Sequence, residues 1–442
     1  MKSKSSFPTI ILLVFTLLVS LGGNNVSAQL SSIVGLDLWS SVVEQQSSDQ
    51  PIRLLSPQRA PAEEIEEPSR NGTSEVLRRR FTSLDTLAFS RLRQITSAQT
   101  NTLIALDLFT DATALARVNH VSRESGSSIG LTGVIEKTNR SPGGYINLVQ
   151  REPERSSDSP VIFADIQLGA RQFEIRPLRG GAYEVLEINP YAPKPDRTIG
   201  FKGDSSVRGR DEPTKLIAAT PNRVDTVDVL VVYTTASIQA AETEQNLQAI
   251  IDLGAQKTNT ALSASLTESQ IRVVGKVHLP WWEEGNDSLS TDLTALQNST
   301  RIKDLRQQFR ADVVVLIRAP DNIDYGIAFC QAEVPLRVRS FAVVDYAHIA
   351  RYAVMGHEIG HTLGCDHNYS DKDCGIVSYA YGQWFYGDSG DYWGTMMSYK
   401  GSRVLFYSNP NVLWDGQPTG LAGARDNARR IRETKATIAA FF

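Results

Sequence analysis

Residues 357–367 read HEIGHTLGCDH, and this run determines how the chain around it must fold. Residues four apart lie on one face of an α-helix, so His357 and His361 can present two imidazole nitrogens to a single point. Glycine tolerates the left-handed backbone that ends many helices, and Gly364 is expected to turn the chain there. The turn would bring His367 toward the same point. The run therefore predicts a helix, a turn and three converging imidazoles.

Three histidines at this spacing predict a metal site. Zinc suits imidazole ligands in a tetrahedral arrangement, so His357, His361 and His367 are interpreted as the ligands of one catalytic Zn²⁺ ion. Three protein ligands leave a fourth position for water, as catalytic rather than structural zinc sites do. Glu358 is interpreted as the general base that takes a proton from zinc-activated water and later delivers it to a leaving amine. Calcium is possible as a further ion, but no motif places it.

The other face of the predicted helix is apolar. Tyr352, Met355, Ile359 and Leu363 lie opposite the histidines. The helix is therefore expected to pack on the core with one face and to line a cleft with the other.

Three cysteines, Cys330, Cys365 and Cys374, allow one disulfide and leave one thiol. All three pairings stay open at this stage. Cys365 lies within the histidine run, but as a metal ligand it would compete with the histidine geometry. A disulfide or a buried thiol is therefore its expected role.

The C-terminal half alternates apolar strands with amphipathic helices. Strands are predicted over 228–233, 271–277, 312–317, 326–333 and 340–346, and helices over about 247–262, about 292–309 and the last residues of the chain. This alternation predicts an α/β (α+β) domain with a mixed, mostly parallel sheet.

The N-terminal half has a different pattern. Residues 29–95 are rich in Ser, Gln, Pro, Glu and Arg and are interpreted as largely flexible. Residues 96–190 hold short β-rich runs between turn-like sequences, which predicts a small antiparallel β domain. Residues 191–224 are rich in proline and charge, which is typical of a linker that proteases can cut.

The first 28 residues have the pattern of a signal peptide. Lys2 and Lys4 precede an apolar run over 10–21, and the small residues Val26 to Ala28 end the segment. The run is short for a bilayer span, although an uncleaved membrane anchor is the alternative. The prediction is a secreted protein, extracellular or periplasmic in a Gram-negative bacterium, without stable membrane association after cleavage.

Taken with a methionine further along, the histidine run resembles the metzincin clan of zinc metalloproteases. The run GTMMSY (394–399) lies about thirty residues after His367 and matches the Met-turn of that clan. The resemblance implies that Met397 packs beneath the zinc ligands, with Met396 as the competing assignment. Tyr399 stands where some branches of the clan place a tyrosine near the metal, and its contact with zinc stays open.

Several further runs resemble bacterial reprolysin-like (adamalysin-related) secreted peptidases, among them VDVLVVYTTA, ADVVVLI and GIAF. The resemblance covers about 225–442 and implies a metzincin catalytic domain there. It also implies that 326–333 is an edge strand that binds substrate backbone by strand addition. The β-rich part is similar to the propeptides of these enzymes, so the expected domains are 1–28 signal peptide, 29–224 propeptide and 225–442 catalytic domain.

A propeptide implies a latent precursor, in which the chain's own propeptide acts as inhibitor. Residues 29–224 contain no cysteine that could cover the zinc. Phe201-Lys202-Gly203-Asp204 resembles the Phe-x-Gly-Asp signature of astacin propeptides, whose aspartate occupies the metal. The hypothesis is that Asp204 caps the zinc before cleavage, with a simple turn as the alternative.

The expected function is that of a secreted zinc-dependent metalloendopeptidase that hydrolyses protein or peptide substrates. Two alternatives stay open: a zinc peptidase restricted to small or cell-wall peptides, and a catalytically silent zinc-binding adhesin or inhibitor. Glu358 counts against a silent protein, because zinc binding does not need that carboxylate. The formal net charge of -4 gives no excess of positive charge for binding nucleic acid. Nucleic acid is therefore excluded as a partner.

Overall fold

In the computed structural model, two large β-sheets, of ten and six strands, organise the described part of residues 51–442. The described residues are 50–56, 65–66, 74–85, 87–99, 101–124, 128–137, 143–153, 159–192, 196–199, 215–285, 288–320, 324–375 and 377–442. The predicted signal peptide (1–28) and the Asp204 hypothesis both lie outside these residues. Among the helices within them, none has both the length and the apolar composition that crossing a membrane requires.

An N-terminal sheet contains ten strands. Its neighbouring strands are antiparallel, apart from β1 and β4, which run parallel. The strands are β1 Ile52–Arg53, β2 Ile65–Glu66, β3 Val76–Thr82, β4 Leu103–Phe109, β5 Ala112–Glu124, β6 Ser128–Ile135, β7 Gly144–Arg151, β8 Val161–Leu168, β9 Arg171–Pro177 and β10 Tyr183–Ile188, with helix α1 at Ala88–Gln94. The order across the sheet is β1-β4-β5-β6-β7-β8-β9-β10-β3-β2.

The structure differs from the interpretation of residues 29–95 as largely flexible, because β3 and α1 lie within that range. Strand β3 reads VLRRRFT, and its arginines suggested a solvated segment. In the fold these charges have partners: Arg78 Nε donates to Glu187 at 2.6 Å, and Arg80 donates to the Asp107 carbonyl at 2.8 Å. Cross-strand pairing therefore replaces the contacts that water would have made.

The second half contains a mixed sheet with helices on its faces, which confirms the predicted α/β architecture. Its strands are β11 Asp196–Ile199, β12 Asp225–Thr234, β13 Ser269–Leu279, β14 Val313–Arg318, β15 Gly326–Phe329 and β16 Phe341–Asp345, in the order β11-β15-β16-β14-β12-β13. Every pair is parallel except β15 with β16. Strand β11, the first of this sheet in chain order, therefore lies at its edge beside β15.

The helices of this half are α2 Thr235–Ala240, α3 Glu244–Ala264, α4 Leu289–Asn298, α5 Thr300–Phe309, α6 Val354–Thr362 and α7 Asn427–Ile438. Short strands follow α6: β17 Asp366–Asn368, β18 Tyr381–Gly382, β19 Trp384–Tyr386, β20 Tyr392–Gly394, β21 Ser402–Arg403, β22 Leu413–Trp414 and β23 Gln417–Pro418. The sequence predicted a single helix over about 292–309, and this prediction is wrong in one respect. Extended backbone at Ser299 divides it into α4 and α5, and the Ser299 side chain caps α5 by accepting from Ile302 N.

Strand β12 shows how side-chain alternation builds the two faces of the mixed sheet. Val229 and Val231 belong to the apolar cluster that contains residues of α3, α6 and α7. Leu230 and Val232 belong to the cluster that contains residues of α4 and α5. A strand buried on both faces explains its continuous apolar sequence.

Helix α3 lies between the two sheets. Its apolar residues join the cluster shared with β12 and α6. Its polar residues meet the N-terminal sheet: Asp252 accepts from Arg151 at 3.2 Å, and Lys257 pairs with Asp165 at 2.7 Å. All four side chains are buried. The polar stripe of α3 is therefore an interface between the two halves of the chain.

Leu316→Ala should lower the free energy of unfolding of the full chain by about 2–5 kcal/mol, because it empties a fully buried position on the central strand β14. Leu115→Ala on β5 is the matched control, since that side chain is 52% exposed and the change should stay within about 0.5 kcal/mol. Urea unfolding followed by circular dichroism compares the two. Equal losses for both variants would contradict this assignment of the core.

Candidate metal centre

Helix α6 begins after two residues with left-handed backbone. Tyr352 has φ 51° and Ala353 has φ 54°, and residues other than glycine rarely adopt this backbone region. Contacts on both sides of Tyr352 hold this conformation: its hydroxyl donates to the Asn189 carbonyl at 3.0 Å, and its own carbonyl accepts from Arg403 at 2.7 Å. The strained turn sets the direction in which α6 enters the core.

The packing face predicted for α6 is confirmed. Tyr352, Met355, Ile359 and Leu363 are all buried in the apolar cluster that includes the mixed sheet. The opposite face carries His357 and His361, which are also fully buried. One side of the helix is therefore fixed by packing while the other presents imidazoles.

The structure brings the three predicted histidines together. The Nε2 atoms of His357 and His361 lie 3.1 Å apart, those of His361 and His367 3.0 Å, and those of His357 and His367 3.1 Å. Within the described residues this is the one cluster of three or more potential metal-ligating groups. The spacing read from the sequence therefore corresponds to a real convergence of donor atoms.

The other ring nitrogens contact oxygen atoms outside this triangle. His357 Nδ1 lies 2.7 Å from the Met396 carbonyl, His361 Nδ1 3.0 Å from the Cys365 carbonyl, and His367 Nδ1 3.2 Å from the Asp373 carboxylate. An oxygen at Nδ1 favours the tautomer in which Nε2 carries the lone pair. The rings of His357 and His361 are thereby oriented to offer Nε2 as a ligand.

The electrostatic surroundings keep two of these rings neutral. Burial, followed by the positive charge of Arg403, holds the pKa of His357 well below its usual value. Burial, followed by the neighbouring His367, does the same to the pKa of His361. Only the neutral imidazole can donate a lone pair to a metal, so the site favours the ligating form.

Gly364 ends the helix as predicted. Its φ is 95°, and the Cys365 N–H donates to the Gly360 carbonyl at 3.0 Å to close the turn. A side chain there would also collide with Arg430, because an added Cβ would lie 2.7 Å from Arg430 Nε. The position therefore needs glycine for both conformation and space.

The two methionines of the predicted Met-turn have different contacts. A Cβ added at Gly360 would lie 2.6 Å from Met397 Sδ, so Met397 packs against α6 between the two helical histidines. Met396 supplies the carbonyl that meets His357. The hydroxyl of Tyr399 lies 2.7 Å from His367 Nε2, at the border of the nitrogen triangle.

Asp366 was missed by the sequence analysis, although it organises the loop that carries His367. Its buried carboxylate accepts from four backbone N–H groups: His367 at 2.8 Å, Asp373 at 3.2 Å, Cys374 at 3.1 Å and Gly375 at 2.7 Å. The signal available in sequence was an aspartate directly before the third histidine. Side-chain acceptors of this kind hold a turn that lacks regular hydrogen bonds.

The disulfide joins Cys330, directly after β15, to Cys374 in this same loop. Cys365 is the free, buried cysteine, and its sulfur faces the Asn427 carbonyl at 3.9 Å. Burial raises the pKa of the Cys365 thiol, which keeps it protonated and unsuited to ligate a metal. The bridge thus ties the loop of the third histidine to the edge region of the mixed sheet.

Glu358 faces strand β15. A Cβ added at Gly326, the first residue of β15, would lie 2.5 Å from Glu358 Oε1. Glu358 is fully buried and follows His357 directly on α6. The predicted general base therefore lies beside strand β15 and directly follows one of the three histidines.

The geometry of the triangle fits a zinc ion. Zinc binds imidazole nitrogen at about 2.0–2.1 Å, and tetrahedral angles then place two such nitrogens about 3.3 Å apart. The observed separations of 3.0 to 3.1 Å are close to that value. Three imidazole nitrogen donors without a thiolate match an open zinc site better than a closed structural one.

Comparisons with known proteins agree with this geometry. Residues 223–412 match the family model described as metallo-peptidase family M12B, reprolysin-like. The chain is 28% identical over 323 residues to a peptidyl-Asp metalloendopeptidase of Stenotrophomonas maltophilia (strain R551-3), covering 70% of this chain and 74% of that protein. A peptidyl-Asp metalloendopeptidase of Xanthomonas campestris pv. campestris is 27% identical over 306 residues, covering 65% of this chain and 68% of that one.

A solved structure described as "Structure of a chaperone-substrate complex" aligns with a TM-score of 0.41 and 18% identity, covering 63% of this chain and 43% of that chain. That similarity is too distant to bear on function. The family match and the curated relatives confirm the predicted resemblance. Residues 223–412 are thus similar to reprolysin-like metallopeptidases, and the chain is an enzyme that hydrolyses peptide bonds.

Proposed function

We propose that this chain is a secreted zinc-dependent endopeptidase made as a latent precursor. His357, His361 and His367 hold the metal, and Glu358 is the general base. The observation that carries this proposal is the triangle of Nε2 atoms within 3.1 Å of one another beside a buried carboxylate.

The site divides the reaction between the metal and this chain's own side chains. A zinc ion on the three nitrogens supplies Lewis acidity toward a scissile carbonyl and toward water. Glu358 takes a proton from the attacking water and returns it to the leaving amine. The hydroxyl of Tyr399, at the border of the triangle, can donate a hydrogen bond to oxygen that gains charge during attack.

The edge of the mixed sheet provides a place for substrate backbone. Strand β15 pairs with β16 on one side, and its other side can add an extended peptide by main-chain hydrogen bonds. Gly326 brings this edge into contact with Glu358. A peptide added along β15 would therefore pass the general base, which favours endopeptidase action on extended chains.

The latent state is supported by what occupies that edge. Strand β11 comes from the N-terminal half, and its residues Asp196–Ile199 pair with Gly326–Phe329 of β15. A substrate strand would need the same hydrogen-bonding groups. We therefore assign residues 29–224 as propeptide and 225–442 as catalytic domain, with 1–28 as an export signal. The role of Asp204 as a cap on the metal stays a prediction.

The substrate class is proposed from the relatives, which are named peptidyl-Asp metalloendopeptidases. We extend to this chain a preference for protein substrates cleaved at aspartate residues. Casein and peptides that contain aspartate are suitable first substrates for the processed protein.

Glu358→Gln should lower kcat on casein by about 10²- to 10⁴-fold in the processed protein, because the amide cannot accept the proton from water. Its zinc content should equal that of the wild type, since the histidines are unchanged. Glu283→Gln, which changes an exposed carboxylate outside the site, is the control and should keep full activity. Undiminished hydrolysis by Glu358→Gln would exclude this residue as the base.

Asp366→Asn should weaken zinc binding by about 10- to 100-fold, because one carboxylate oxygen that accepts N–H groups from the His367 loop becomes a donor. Competition with a chromophoric chelator measures the affinity. Asp388→Asn, which changes an exposed aspartate, should bind zinc as the wild type does. Equal affinity of Asp366→Asn and wild type would show that the carboxylate does not position the third ligand.

A further inference from the structure

A pair of cationic side chains in the catalytic half is covered by carboxylates of the N-terminal sheet. Arg351 Nε and Nη2 donate to the two oxygens of Glu174 at 3.1 and 2.9 Å, and Arg351 Nη1 donates to Glu75 at 2.9 Å. His348 Nε2 lies 2.8 Å from the other oxygen of Glu75. Arg351 and His348 are both buried beneath these contacts.

The charges at this contact are complementary. Burial alone would raise the pKa of Glu75, but hydrogen bonding to His348 and the charge of His348 lower that pKa to about 2. Burial alone would lower the pKa of His348, but the hydrogen bonds that its ring donates to Asp345 and Glu75 raise that pKa to about 10. Glu75 is therefore a carboxylate and His348 an imidazolium across the middle of the pH range.

The cation pair is linked to the general base through two consecutive residues, Tyr325 and Gly326. Gly326 borders Glu358, and the preceding residue, Tyr325, stacks its ring on His348 with centroids 3.5 Å apart. Arg351 stands six residues before His357, at the entry to helix α6. One aromatic ring therefore separates His348 from the residue that contacts the general base.

Removal of the N-terminal half would leave Arg351 without the two carboxylates of Glu75 and Glu174. Within the described residues, both carboxylates that pair with Arg351 come from the N-terminal sheet, whereas His348 keeps Asp345 from its own half. A guanidinium in a largely apolar surrounding binds a carboxylate in preference to a neutral group. Its planar fork also suits two parallel hydrogen bonds to one carboxylate, as Glu174 shows.

We propose that Arg351, supported by His348, binds the acidic side chain of the substrate in the processed enzyme, and that Glu174 and Glu75 occupy this subsite in the precursor. This inference rests on the proposed function and assigns its substrate preference to named residues. The propeptide then blocks the enzyme at two places, with β11 on the edge strand and two carboxylates in the acid-binding subsite.

The competing explanation is that these ion pairs only dock the two halves. Lys257 provides the comparison, because it pairs across the same interface with Asp165 at 2.7 Å but lies on α3. The Lys257 ammonium also donates to the Ala350 carbonyl at 2.7 Å. A residue that only docks the propeptide should have no influence on substrate choice after processing.

The experiment compares two fluorogenic peptides that differ only in Asp or Asn at the cleaved position, with enzyme processed from the secreted full chain. Arg351→Gln should lower the Asp-to-Asn ratio of kcat/KM roughly tenfold or more, because the carboxylate loses its fork of donors. Its activity on the Asn peptide should stay near that of the wild type. Lys257→Met should keep the wild-type ratio.

Each other outcome has a distinct meaning. A wild-type preference for Asp that persists in Arg351→Gln would overturn the inference and leave the proposed function intact, and so would equal cleavage of both peptides by the wild type. A wild type that cleaves neither peptide nor casein would contradict the proposed function itself. If Arg351→Gln is not recovered folded, judged by its unfolding midpoint, Arg351→Lys keeps the charge without the fork and should show a smaller fall in the same ratio.

Discussion

Three imidazole Nε2 atoms lie within 3.1 Å of one another inside the protein, and the surrounding structure holds them there. Two backbone carbonyls orient the rings of His357 and His361 through Nδ1, and the Asp373 carboxylate lies 3.2 Å from Nδ1 of His367. Those acceptors belong to the turn after α6, the Met-turn and the loop that Asp366 and the disulfide stabilise. The helix, the turn and the two later segments therefore depend on one another through the metal site.

The second determining contact is between the two halves of the chain. Helix α3 buries its apolar face against the mixed sheet and its charged face against the N-terminal sheet, with Lys257 on Asp165 as one such pair. Buried pairs of this kind lose much to desolvation, so they specify how the halves meet more than they stabilise the contact. The same interface includes β11 beside β15 and places Glu75 and Glu174 on Arg351. In this account, docking and latency have a common structural origin.

The sequence was sufficient for features that depend on local spacing. Helical periodicity predicted both faces of α6, and the conformational freedom of glycine predicted the turn at Gly364. The sequence was insufficient where a charged residue pairs with a residue that is distant in the sequence. The arginines of β3 looked solvated because Glu187 is distant in sequence, and Asp366 looked ordinary because its four acceptor contacts depend on a folded loop. The pairing of Cys330 with Cys374 likewise needed three-dimensional distance rather than residue counts.

The central claim is that His357, His361 and His367 together bind one catalytic zinc ion. X-ray absorption at the zinc edge of the processed protein tests it most directly, because the spectrum reports ligand type and distance. The account predicts one zinc per chain with three imidazole nitrogens at about 2.0–2.1 Å and no sulfur ligand. Absence of stoichiometric zinc, a sulfur ligand at about 2.3 Å, or fewer than three imidazoles would contradict it.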